Sequence, residues 1–251
     1  LAAVEDIFAP FRPKRQTRAT KAIERGLTPL ADWVFENQDA DPEEKAATFI
    51  NTEQDVLTLT HALAGARDII AERVADDAAL RGHVRKIYER EATVSSKIMY
   101  GKEEDAEAQK FRDYFEWSEP FASIPSHRML AIRRGEKEGF LLMRVEVPLE
   151  KVTAAALPDW VKSNGPAGKH VAQAVEDGCK RLLMPSMETE ARLSAKKRAD
   201  ETAIMVFAGN FRELLLASPL GEKQLLAIDP GFRTGCKTVV LDSSGKLLHH
   251  T

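Results

Sequence analysis

The sequence predicts a mainly α protein: a multi-helix N-terminal region containing a short strand pair, followed by the first strands of an α/β domain. Three observations predict it. Leu59, Leu63, Ala66, Ile70 and Val74 recur at 4-3-4-4 spacing, one apolar stripe of an amphipathic helix. Across 141–147 the period changes to two, with Leu141, Met143, Val145 and Val147 alternating with Leu142, Arg144 and Glu146. Residues 222–251 then carry short apolar runs separated by turn residues, the signature of hairpins.

Taken in order, Pro10 and Pro13 bracket Phe11 and Arg12 and predict an extended stretch there before a helix that begins near Thr17. Gly26 ends it. Thr28 and Pro29 cap and start the next helix, and Asp41-Pro42-Glu43-Glu44 repeats the device, with Glu44 placed for a capping box. Three short helices in residues 1–55 fit a helix-turn-helix-like part, and they also fit any small helical bundle, which is the commoner outcome. After the long amphipathic helix, Val84, Ile87 and Tyr88 begin a shorter one. Residues 102–119 set Lys102, Lys110 and Arg112 against seven acids and predict a solvated helix or loop. A helix from Ser126 to Arg134 closes at Gly135, and Pro148 stops the strand that follows. Val171, Val175, Cys179 and Leu182 share one helix face, as do Ile204, Ala208, Phe211 and Leu215. Ser218-Pro219-Leu220-Gly221 ends the helical region, placing a boundary between 1–221 and 222–251. Beyond it Leu225 to Ile228 forms a strand ending at Asp229-Pro230-Gly231. A second runs from about Lys237 to Asp242, and Lys246-Leu247-Leu248 begins a third. There is no internal repeat and no low-complexity segment.

Composition narrows the class. With 43% hydrophobic and 30% charged residues the chain has the balance of a folded, soluble protein rather than a disordered one. No apolar run is long enough to span a bilayer and no secretory signal opens the chain, so the expected compartment is the cytoplasm. Leu1 and the apolar run before Thr251 read as internal cut points of a longer protein. Cys179 and Cys236 stand apart, without the clustering that a disulfide framework or zinc site requires, and both are expected to be small buried residues. A net charge of −3 predicts no affinity for nucleic acid by itself. Its distribution says more: Arg12, Lys14, Arg15, Arg18, Lys21 and Arg25 face only Glu24, whereas residues 31–55 carry eight acids against Lys45.

Four stretches together resemble the Tex family of bacterial transcription accessory proteins: Phe8 to Ala19, Ala62 to Glu72, Pro125 to Glu136, and Ile228 to Lys237. The last, Ile-Asp-Pro-Gly-Phe-Arg-Thr-Gly-Cys-Lys, is similar to the opening of the family's RNase H-like domain, and Asn210 to Leu215 precedes it in the family's order. The resemblance implies a cytoplasmic, nucleic-acid-binding scaffold that acts on transcription. It implies a helical region with a helix-turn-helix-like portion over about 1–55, then the truncated start of a domain related to Holliday-junction resolvases over 222–251. Family members continue into helix-hairpin-helix elements and an OB-fold RNA-binding module, the main contributor to nucleic-acid binding.

Within that frame the candidate nucleic-acid contacts are Arg12, Lys14, Arg15, Arg18 and Lys21, with Arg233 and Lys237 near the Asp-Pro-Gly turn, where Gly231 and Gly235 allow close backbone approach. Cationic side chains neutralise phosphates and make affinity fall steeply with salt. Only Phe8 and Phe11 accompany the first cluster, so base stacking is not indicated. The same basic face can instead dock on the acidic stretch 31–55. Asp229 is the weak candidate for catalysis: in an RNase H-like fold an Asp ending the first strand faces a divalent-metal site, but metal-assisted cleavage needs several carboxylates. Asp242 ends the second strand with no fixed direction.

Lys196-Lys197-Arg198 lies among acids and reads as a salt-laced helix face. His127-Arg128 with Arg133-Arg134 is a further basic cluster, and no acid is spaced to build a triad on Ser126. Gly165-Pro166-Ala167-Gly168-Lys169-His170 echoes a Walker motif without its first glycine or its Ser/Thr. The expected function is therefore a non-enzymatic scaffold of a transcription accessory protein that binds nucleic acid, RNA ahead of DNA, with no cofactor, no metal and no membrane. RNA polymerase or the ribosome is a further candidate partner. Two rivals stand: a metal-dependent, resolvase-like nuclease in the full-length parent, and a protein-interaction scaffold that touches no nucleic acid. The final strands are expected to be the least protected part of the fold.

Overall fold

The computed structural model describes residues 2–8, 11, 16–231 and 235–251; of Ala2 and Ala3 only the backbone is described. The chain divides into two compact units, 1–203 and 204–251.

The first unit opens with α1 (Ala2–Phe8) and α2 (Arg18–Glu24). Thr17 and Thr20 cap α2 reciprocally. The Thr17 hydroxyl accepts from the Thr20 amide at 3.0 Å, and the Thr20 hydroxyl accepts from the Thr17 amide at 2.7 Å. Gly26, at φ 76°, ends the helix in the left-handed region that glycine tolerates. Next come α3 (Thr28–Glu36) and α4 (Pro42–Ala47). Thr28 is already helical, so the cap falls on Leu27, whose side chain is wholly buried and gives no capping bond. Asp41 caps α4 as expected, accepting from the Glu43 amide at 3.0 Å.

The axis of the unit is α5 (Leu59–Asp76), capped by Thr58, with α6 (Ala78–Glu91) capped by Asp77. The predicted stripe is the buried one: Leu63, Ala66, Ile70 and Val74 are core, with Leu59 packed at its edge. Each large apolar side chain so buried contributes about 1.5–3 kcal/mol. Small residues let other helices approach α5 closely. A Cβ on Gly65 would lie 2.4 Å from Leu27, and one on Gly178 would lie 2.6 Å from the Ala71 carbonyl.

The expected strand pair is a three-stranded antiparallel sheet in the order β2-β1-β3, from β1 (Thr93–Ile98), β2 (Glu116–Pro120) and β3 (Leu141–Glu146). Alternation in β3 is as read: Leu141, Met143 and Val145 are buried, and Leu142, Arg144 and Glu146 exposed. Residues 102–119 are only partly the solvated segment predicted. A 3-10 turn over Ala108–Tyr114 buries Phe111, and 116–120 pairs with β1. Helix α7 (Ser126–Lys137) runs through Gly135 rather than ending there; Gly135 packs against Leu141, and the chain turns at Gly139, φ 78°.

Beyond Pro148 lie α8 (Leu149–Trp160), α9 (Pro166–Asp177), a π-helical segment over Gly178–Leu183, and α10 (Met184–Leu216). Val171, Val175 and Cys179 are core, as their spacing predicts. The edge of β3 is closed by α10: the Val145 amide donates to Glu188 at 3.2 Å, and Arg192 donates to the Met143 carbonyl at 3.3 Å. Edge groups satisfied in this way do not recruit another strand.

In the second unit β4 (Leu225–Gly231), β5 (Gly235–Leu241) and β6 (Leu247–His250) form an antiparallel meander, paired in sequence order as expected. Among the described residues of 204–251 none is buried. Cys236 is exposed, which corrects the expectation for that residue; Cys179 is buried. No helix of the described residues is long and apolar enough to cross a membrane.

Candidate nucleic-acid interface

Helix α2 is two-faced. Ala19 and Ala22 are buried, and Arg18 and Lys21 are exposed. Its placement shows in two contacts and one electrostatic influence along α5. The Arg25 guanidinium lies 3.0 Å from His61 Nε2, Ala22 sits over Gly65, and Arg18 is near enough to Asp68 to act on its acidity. Residue numbers rise on one helix as they fall on the other, so α2 lies antiparallel on α5 and holds its charged side outward.

Of the six basic residues in 11–25, Arg25 is used internally, ion-paired with Asp55 of the acidic stretch. Another residue of that stretch, Asp32, pairs with Arg73 of α5 at 2.6 Å. Arg18 and Lys21 have no carboxylate partner within ion-pair distance among the described residues. Arg12, Lys14 and Arg15 lie outside the described residues. Beneath α2, burial raises the Asp68 carboxyl above its usual range despite Arg181, 3.4 Å away, Arg18 and Arg67. On the other flank Arg67 lies 2.8 Å from His170 Nδ1, and burial together with that guanidinium lowers the imidazole's proton affinity.

The other basic clusters singled out in the sequence are largely neutralised by neighbours. Arg128 meets both oxygens of Glu119 at 2.9 and 3.1 Å, Arg133 pairs with Glu136, and Arg134 pairs with Glu138 at 2.8 Å. Lys196 pairs with Asp200, and Lys197 lies 4.0 Å from Glu201, the salt-laced helix face read from the sequence. At the start of α9 the amides of Ala167 and Gly168 donate to the carbonyls of Ala40 and Gln38. A Cβ on Gly168 would lie 2.0 Å from the Ser163 carbonyl. The glycine there answers to close backbone packing.

Asp229 stands directly opposite Lys237 in the β4–β5 register, their charged atoms 3.9 Å apart and both side chains exposed. Asp242 is a turn residue. Its carboxylate accepts from the Ser244 amide and hydroxyl and from the Lys246 amide, which holds it below the usual carboxylate range. Arg233 lies outside the described residues. No group of three His, Cys, Asp or Glu suited to a metal occurs among the described residues.

Sequence reasoning missed one cluster. Asp6, almost fully buried, accepts from Arg81 Nε and Arg85 Nη2, each at 2.7 Å; Arg85 also binds Glu190, and Arg81 reaches Ser186 at 3.1 Å. Burial alone would raise the Asp6 carboxyl, but the two guanidiniums outweigh it and lower it. Its partners lie 75 and 79 positions away, so no local signal marks it.

These features define a helical scaffold with a charged surface, leading into a small antiparallel sheet. A family model described as Tex central region-like matches residues 37–207, and a Tex protein YqgF-like domain matches 223–251. The chain belongs to the Tex family. Among its relatives are protein tex of Bordetella pertussis, 39% identical, and transcriptional accessory protein Tex of Neisseria gonorrhoeae, 38% identical. Each alignment covers 98% of this chain, and 32% and 33% of the two relatives respectively. The human S1 RNA-binding domain-containing protein 1 is 26% identical over 98% of this chain and 26% of its own length. The chain thus spans about a third of the length of the bacterial relatives it matches.

Proposed function

We propose that this chain is the scaffold portion of a cytoplasmic transcription accessory protein that binds nucleic acid, RNA in the first instance, and carries out no chemical step. The carrying observation is α2, seated on α5 through Ala19 and Ala22 while Arg18 and Lys21 are exposed with no carboxylate within ion-pair distance among the described residues, Arg18 lying near Asp68 without pairing to it. Cations left unneutralised on a rigid support attract a polyanion and release its counterions on contact. Family membership and the names of the relatives support the same reading. Polymerase or ribosome docking is a further partner of the whole protein on this reading. The carboxylate of Asp229, exposed and opposite Lys237, acts as a cross-strand partner in a hairpin.

Titrating a fluorescent single-stranded RNA against the chain over a range of salt tests the proposal. The double variant Arg18→Glu/Lys21→Glu is expected to weaken binding about tenfold at low salt and to flatten the salt dependence. Unchanged affinity and slope would remove α2 from the interface and leave a protein-docking scaffold as the better account.

A further inference from the structure

Resting on the reading that the chain binds nucleic acid, we infer that α6 carries a second phosphodiester contact, formed by Lys86 and Arg90 with His83 beside them. Helical geometry puts the three on one stripe. With about 100° between successive residues they fall within roughly 60° of arc, and they span about 10 Å of the axis. All three are exposed, and Ala79, on the same stripe, is exposed too.

What distinguishes the stripe is that two cations stand one turn apart on a single exposed face and neither has a carboxylate within ion-pair distance among the described residues. The other cations of α6 are committed: Arg81 and Arg85 hold Asp6, and Arg85 also holds Glu190. Elsewhere in the first unit Arg67 lies on His170 and Arg198 over the Phe121 ring, while Arg25, Arg73, Arg128, Arg133, Arg134, Arg144, Arg181 and Arg192 each have a carboxylate within ion-pair distance. Lys86 and Arg90 have none among the described residues. Of the acids closest in sequence, Glu91 pairs with Lys151 of α8, and Glu89, at the rim of a groove between α6 and α10, forms no ion pair with either cation among the described residues. The opposite side of α6 is fixed in the core through Leu80, Val84 and Tyr88. The charges are therefore presented by a rigid element, as on α2, and a phosphodiester backbone is the ligand class that gains from two fixed cations in a row.

The experiment compares three charge-matched double variants of the full chain on the same RNA: Lys86→Glu/Arg90→Glu, Arg18→Glu/Lys21→Glu, and, as a control on scattered exposed lysines, Lys137→Glu/Lys223→Glu. Thermal melts confirm that each is folded. The α6 variant is expected to lose about tenfold in affinity at low salt, with the log–log salt slope reduced by about 1.5, while the control loses less than about twofold. If the α6 variant behaves like the control while the α2 variant weakens binding, the α6 stripe is a solvated face and the proposal fails, with the function intact. If neither variant differs from the control, both proposals fail together.

Discussion

The two units treat similar residues in opposite ways. In 1–203, Leu27, Leu30, Ile70, Met143 and Leu183 are wholly buried, and α5 is enclosed by α2, α3, α4, α9 and the π-helical turn. In 204–251, Ile204, Phe207, Phe211, Leu214, Leu226, Ile228 and Leu248 are half to three-quarters exposed. Phe207 and Phe211 stack at 5.9 Å, yet both remain open to solvent. Apolar content is therefore not what makes a core. Burial requires a second layer, and a helix apolar all round or a sheet apolar on both faces needs cover on every side. The first unit supplies its own cover from many elements; among the described residues of the second, no side chain gains it.

The largest test of this contrast is a matched pair of truncations. Ile70→Ala should destabilise the first unit by about 2–5 kcal/mol in urea unfolding, whereas Ile228→Ala should cost less than about 0.5 kcal/mol. Equal costs would show that the second unit has a core after all. Next comes Asp6→Asn, which leaves Arg81 and Arg85 facing a neutral amide and should cost about 3 kcal/mol. The wild-type contribution is present above the unfolded carboxyl value near 3.8 and disappears as pH falls through the lower folded one. Melts between pH 5 and 2 (about the range such carboxyls titrate over) should therefore converge for wild type and variant, and a constant gap would contradict the ion pair.

A smaller effect is expected at His170. Its folded proton affinity lies below the ordinary imidazole value of 6.5, so the unfolded chain binds the proton more readily. Stability should decline as pH falls from about 6.5, and His170→Gln should flatten that decline in melts over the same range. The mildest probe is chemical. Burial pushes the Cys179 thiol up to about 11, so a mild alkylating reagent at pH 8 should modify Cys236 alone in the native protein. Mass spectrometry showing label on Cys179 before unfolding would mean that the first unit opens as readily as the second.

Legibility in the sequence followed the strength of the apolar pattern. The α5 stripe and the alternation of β3 were readable because their inward positions are large and apolar. Strand β1 was not, because its central inward residue is Ser96, fully buried, which breaks a pattern otherwise carried by Val94 and Ile98. Helix α8 hid among alanines, whose burial at Ala156 leaves little periodic contrast. The basic stretch before α2 was legible as charge. That Arg25 serves Asp55 while Arg18 and Lys21 face solvent was not, since only the packing of α2 on α5 separates them.

By itself, then, the sequence determined the helix-rich body, the β meander after it, the family likeness and the position of the basic segment, because local periodicity and turn chemistry act over a few residues. Tertiary structure alone decided which charges are neutralised, which glycines are packing surfaces, and how Asp6 finds two arginines more than seventy positions away. Ion pairing and close packing depend on distances through space, which no spacing along the chain encodes.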